Sequence, residues 1–303
     1  MNLQTVWSIL TEGDEPLDEY PVTAMMNIVA ELNLLPGWLT WVVAGMMFGE
    51  ESITTEKYMH LFPYGLAQTN EGRFASAAQQ GYLTINDKGE YRLSNSGSEI
   101  AQKILLAVDV SVDHLDPMPM ERLQKLVDTL IQLVDESFAM PEPPAKWLIS
   151  HKRRNLRPTE GSCLLRYVIY YYDQIAAYRD DMYVATWQAH GVEGHTWEVL
   201  DALSQSDALT FDELHNKLSR RGVTEEVHAG DVRELVGRGW AEESSGVVKA
   251  TEAGKQVRAE VEAETERLFF APWSCLNESE LEELASLASQ LRDGLQAMKG
   301  EKP

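Results

Sequence analysis

The sequence predicts a mainly α fold with small β wings (α+β), laid out as two like units on a shared helical base. Three observations lead there. Apolar residues recur at helical spacing over most of the chain, interrupted by short extended runs beside turn signals. A set of landmarks repeats at a near-constant offset: Ile53 and Leu209 lie 156 positions apart, Gly81 and Gly239 158 apart. Between the two sets, Met140-Pro-Glu-Pro-Pro144 breaks the helical pattern and marks a linker.

Taken in order, residues 1–20 end acidic (Glu12, Asp14, Glu15, Asp18, Glu19) and are expected to form a short helix and a loop. Pro21 suits the first turn of a helix carrying Met25, Ile28, Val29 and Leu32. Pro36 opens an apolar helix with Trp38, Trp41, Val42 and Met46. Ile53-Thr-Thr-Glu56 then sets a capping residue before a short helix. Gly81-Tyr82-Leu83, the turn Asn86–Gly89 and Ser94-Asn-Ser-Gly97 read as a hairpin leading into a long helix. Leu115, Leu123, Leu126 and Leu130 continue it past Pro117 and Pro119.

After the proline-rich break comes the basic run His151–Arg157, and then a long amphipathic helix from about Gly161 to Ala189. Its apolar stripe is read as Leu164, Val168, Tyr171, Ile175, Tyr178, Met182 and Ala185. From His195 the first half's landmarks return. A helix bears Trp197, Leu200 and Leu203, and a short one spans Phe211–Leu218. A turn at Arg221–Thr224 leads to a helix from Glu225 to Val236. Gly239-Trp240, an extended piece around Ser245-Gly246, and Thr251-Glu-Ala-Gly254 follow, with Leu276, Leu284, Leu287 and Leu291 closing. Helix, helix-turn-helix and two-stranded wing is the order of a winged-helix domain. The expected divisions are 1–139, a first unit with flanking helices; 140–160, a Pro-rich and basic linker; and 161–303, a second unit with flanking helices.

The formal net charge of −22 counts against broad DNA affinity, because such affinity comes from Lys and Arg neutralising phosphates. Residues 191–303 hold 12 Lys and Arg against 23 Asp and Glu, so a DNA-facing surface must gather the few cations available. Cys163 and Cys275 lie far apart and suit buried thiols in a reducing cytoplasm. No basic segment precedes an apolar run, and the greasiest stretch, Leu34–Phe48, is short and contains Pro36. A cytoplasmic protein without a membrane span is expected.

Gly191-Val192 with Trp197-Glu-Val-Leu200 resembles the opening helix of MarR-type regulators. Asp231–Trp240 is similar to that family's recognition helix running into the wing, Thr251–Gly254 to the motif after it, and Leu281–Leu295 to the terminal dimerisation helix. The resemblance covers about 160–298 well and 21–136 weakly. It implies a pseudo-dimer folded from one polypeptide, whose recognition helices stand roughly 34–36 Å apart, one turn of DNA. It implies a DNA-binding transcriptional regulator of double-stranded DNA, with Arg73, Gln79, Lys88 and Arg92 in the first unit and Arg220, Arg221, Arg233 and Arg238 in the second making the contacts. It also implies a small aromatic or lipophilic effector beside Tyr171, Tyr178, Arg179, Trp187 and Trp197. The alternative is an acidic winged-helix pseudo-dimer without DNA binding, serving as a protein-interaction or ligand-binding module.

Other groupings carry less. His190, Glu193, His195 and Glu198 match known zinc spacings poorly, and capping polarity with a backbone-bonded histidine explains them better, so no metal is expected. Arg179-Asp180-Asp181 is read first as a helix-joining network and second as the polar floor of a pocket. No nucleophile–base set or phosphate loop is apparent, so neither an enzyme nor a cofactor is expected.

Overall fold

The computed structural model describes residues 2–143 and 146–300; Met1, residues 301–303, and Pro144 and Ala145 of the expected linker lie outside the described residues. The chain is mainly helical with a few small strands. The first half runs α1 (Leu3–Glu31), α2 (Trp38–Phe48), α3 (Thr55–Leu61), α4 (Ala67–Gln79), β1 (Leu83–Ile85), β2 (Tyr91–Leu93), α5 (Asn95–Val110) and α6 (Met120–Ala139). After α7 (Trp147–Asn155), the second half runs α8 (Leu164–Gln188), α9 (Gly194–Ser204), β3 (Leu209–Thr210), α10 (Phe211–Leu218), α11 (Glu225–Gly237), β4 (Ala241–Ser244), β5 (Val247–Ala250), α12 (Glu252–Phe270) and α13 (Glu278–Gly300).

The same local chemistry sets both heads. Thr54 caps α3 by accepting from the Lys57 amide, and Thr210 caps α10 from the Glu213 amide. Each hairpin is antiparallel, and the residue before the short helix adds to its second strand, Ile53 opposite Tyr91 and Leu209 opposite Val248. Ser94 donates its hydroxyl to the Gly81 carbonyl at 2.6 Å and accepts from the Gly97 amide at 3.0 Å. Thr251 repeats this with Gly239 at 2.6 Å and Gly254 at 3.1 Å. Gly97 and Gly254 are required by close approach: a Cβ there would lie 2.1 Å from the Tyr82 carbonyl oxygen and 2.0 Å from that of Trp240.

The base is crossed. Helix α1 packs on α5 of its own half and on α13 of the other, while α8 packs on α12 and on α6. Val6, Leu10 and Leu17 meet a core that includes Leu284, Leu287 and Leu291, and Arg292 pairs with Glu12 at 2.9 Å. A buried Arg166–Asp109 pair at 2.6 Å ties α8 to α5. The core of the first head runs into the base, whereas the second head has its own core around Trp187, Trp197, Leu200 and Val232.

Three expectations change. Residues 1–20 do not end in a loop: α1 continues through Pro16 and Pro21, with Leu17 and Pro21 both buried. The apolar face reaching across both prolines onto α13 and α5 offsets the backbone bonds they remove. Within the segment 140–160, residues 147–155 form a helix whose basic side chains pair internally, Lys152 with Asp173, Arg153 with Asp135 and Arg154 with Glu51. On α8 the buried face is wider than the expected stripe: Leu165 and Tyr172 are buried along with Val168, Ile175, Tyr178 and Met182, while Leu164 and Tyr171 are half-buried, because α6, α7, α12 and α1 all pack on this helix.

Candidate functional site

The helix pairs α3–α4 and α10–α11 stand where the sequence led one to expect helix-turn-helix elements, and their turns meet. Thr69, in the first turn of α4, donates to the Gly222 carbonyl at 3.1 Å. At Gly194 of α9 a Cβ would lie 2.2 Å from the Pro63 carbonyl oxygen, so the opening of α9 sits directly on the α3–α4 turn. The recognition-position helices α4 and α11 therefore approach at their N-terminal ends instead of standing one DNA turn apart. Gly222, left-handed at φ 70°, lets the α10–α11 turn come this close.

This contact decides where the sequence-predicted cations go. Arg73 is turned toward the junction, donating to Thr40 at 3.3 Å and Asn70 at 3.2 Å. Arg221 pairs with Glu198 at 2.7 Å and lies over the Tyr64 ring at 5.2 Å. Arg220, beside it, is exposed. Arg238 is held by Glu234 at 2.9 Å, donates to the carbonyls of His190 and Gly191, and covers Trp240. Gln79 at the end of α4, Lys88 at the tip of the first hairpin, Arg92 on β2 and Arg233 on α11 are exposed on outer faces. Thus Arg73, Arg220 and Arg221 come together, and the other five do not join them.

Two concavities flank the Tyr64–Arg221 contact. The larger, about 590 Å³, is lined by Arg179, Asp180 and Tyr183 of α8, Trp197 and Asp201 of α9, and Arg258 of α12, among others. Here the arginines are largely matched: Arg179 with Glu262, Arg258 with Asp201 and Glu262, Arg221 with Glu198. Asp180 forms no ion pair among the described residues; surrounding protein mass raises its pKa, with Lys152, Arg179 and Arg221 pulling it back. Burial also raises Glu198, against the pull of Arg221, and pushes the Tyr183 phenol to about 12.

Of the expected effector residues, Arg179 and Trp197 line this cleft. Tyr178 is sealed in the core against Phe269, with its hydroxyl directed to the Leu268 carbonyl. Trp187 stacks at 6.2 Å on Trp197 and donates to the Tyr64 hydroxyl. Tyr171 lies against Tyr170, outside the cleft lining. Asp181 is buried and accepts from the Leu148 and Ile149 amides at 2.9 and 3.0 Å, capping α7; burial raises its pKa to about 6. The adjacent acids thus divide the two readings of the Arg179–Asp181 run, one joining helices and one facing the cleft.

The smaller concavity, about 280 Å³, is lined by Thr40, Tyr58, Asn70, Arg73, Arg220 and Arg221, among others. Sequence reading missed the parts that frame both clefts. The signal was present in Thr40-Trp41 and Thr196-Trp197, again 156 apart, each Thr facing the recognition-position helix. His190, Glu193, His195 and Glu198 do not converge: His195 bonds Asp231 at 2.8 Å, Glu198 holds Arg221, and His190 stacks over Trp197. Among the described residues no group of three or more His, Cys, Asp or Glu is arranged to hold a metal.

Residues 177–300 match the model of a helix-turn-helix family. The match takes in α9 through α13, with α10, its turn and α11 as the helix-turn-helix, so the second half of the chain carries such a domain. No curated protein and no solved structure matches the chain. Among the described residues no helix is long and apolar enough to cross a membrane.

Proposed function

We propose that the chain is a cytoplasmic, non-enzymatic DNA-binding transcriptional regulator, MarR-like in plan, with two winged helices arising from an internal duplication. The units are 1–139 and 161–303, joined by 140–160 and forming a pseudo-dimer within one polypeptide. The observation that carries this reading is the repeated lock behind each hairpin: Ser94 with Gly81 and Gly97, Thr251 with Gly239 and Gly254. Lys88, Arg92, Gln79 and Arg233, exposed on the wing and the recognition-position helices, are the DNA contacts on this reading. The 590 Å³ cleft is the effector site, and its Arg221 wall links an occupant to the junction between heads.

The test is selection from a randomised duplex pool followed by mobility shift at low salt. Retardation at micromolar protein is expected. Replacing Lys88, Arg92 or Arg233 by Gln lowers the salt slope by about one for each phosphate that is no longer neutralised. Absence of any retarded species overturns the DNA-binding reading.

A second reading has a specific observation behind it. The outward residues of α11 include Glu225, Glu226, Val236 and a single arginine, Arg233, and the second wing sets Glu242 against Lys249. A head of that charge suits a protein-interaction or ligand-binding module, and failure of the shift assay favours it.

A further inference from the structure

Equivalent positions in the two heads hold opposite charges. Thr40 and Arg73 in the first correspond to Thr196 and Asp231 in the second, offset by 156 and 158. In the second head the buried Asp231 is satisfied from inside the protein: Thr196 donates at 2.7 Å and His195 bonds it at 2.8 Å. In the first head Arg73 has neutral partners only, Thr40 and Asn70, among the described residues. Its neighbour Glu71 is turned away to Thr55 and Tyr91.

The 280 Å³ concavity around Arg73 contains three arginines and no carboxylate, in a chain with 48 Asp and Glu against 26 Lys and Arg. Arg221 is neutralised by Glu198; Arg220 has no ion pair among the described residues. Thr40 and Asn70, each 4% exposed, are buried polar side chains in its wall. Helix α4 begins beside it, and its N-cap position, Leu66, supplies no side-chain cap, so the first-turn amides add positive potential. Tyr58, Phe62 and Tyr64 give an aromatic wall. A guanidinium uses five N–H donors in a planar fork, and Arg73 spends few of them on Thr40 and Asn70.

We infer that this concavity binds a small oxyanion carried on a flat ring, a carboxylate or a phosphate, with Arg73 and Arg220 gripping the anionic group. The external anion supplies the countercharge that the second head has built in as Asp231. Because Arg73 belongs to one head and Arg220 to the other, the ligand bridges the junction where Thr69 meets Gly222. The site differs from the charge-matched 590 Å³ cleft and stands independently of DNA binding.

The test is calorimetric titration of the full chain with benzoate, phenyl phosphate and neutral benzamide, in low-chloride buffer. Saturable binding of benzoate or phenyl phosphate is expected, with benzamide weaker by about tenfold or more, and the preferred anion identifies the group recognised. Arg73→Gln weakens the preferred anion by about tenfold and Arg220→Gln by a smaller factor, while Lys255→Gln, on the exposed face of α12, leaves it unchanged. Should Arg73→Gln fail to fold, the exposed Arg220 carries the test. No saturation with either anion, equal binding of benzamide, or an unaltered affinity in Arg220→Gln overturns the inference.

Discussion

Asp14 sits where α1 meets α8, with Asp18, Asp173, Lys152 and Tyr172 as its electrostatic neighbours. Burial first, then the two aspartates, push its carboxyl up to about 8, against the pull of Lys152. The folded chain therefore holds a proton that the unfolded chain releases near pH 4. Stability contributed by this group is complete below that pH, falls as pH climbs toward 8, and levels off above. Asp14→Asn keeps the neutral form at every pH. It is expected to raise Tm at pH 7–8 by more than at pH 5, by about 2–4 °C for each kcal/mol recovered. Thermal melts followed by circular dichroism at the two pH values check this; an equal shift at both would remove Asp14 as the cause. Arg73 teaches a related lesson about legibility. Its type and position were readable as a DNA contact, but its direction was not, because the meeting of two turns 153 positions apart decides it.

At the scale of elements, the hairpins and their caps were plain in the sequence, since Thr54, Ser94, Thr210 and Thr251 act within three residues of themselves. The same locality explains the misses. Helix α1 runs through Pro16 and Pro21 because α13 and α5 support its buried face, and that support comes from distant chain. Helix α7 lies in what read as a linker because Asp181 of α8 receives its first amides. The paired locks allow a symmetrical test. Gly97→Ala and Gly254→Ala each drive a Cβ into a carbonyl oxygen near 2 Å, and each should destabilise by about 1–3 kcal/mol. Gly237→Ala, with nothing within 4 Å, should be neutral or stabilising by up to about 1 kcal/mol. Urea denaturation of the three variants measures this, and a large loss in one head alone would argue against a shared construction.

Across the whole molecule, the two halves hold one another through crossed helices, and α7, which touches α2, α3 and α8, fastens the first head to the base. Fragments 1–143 and 144–303 made separately should self-associate or precipitate, since the Val6–Leu10–Leu17 face of α1 loses α13. Made together, they should copurify as a one-to-one complex of full-chain mass on size exclusion. Two independently folded monomers would contradict the crossed base.

The pairing of α1 with α13 also orders events in time. The partner of the first helix leaves the ribosome long after it, with Arg292 following Glu12 by 280 residues. At a synthesis rate of about 5–20 residues per second, the greasy side of nascent α1 waits roughly 15–55 s for its cover. During that interval a chaperone, or a neighbouring chain on the same polysome, has first access to it.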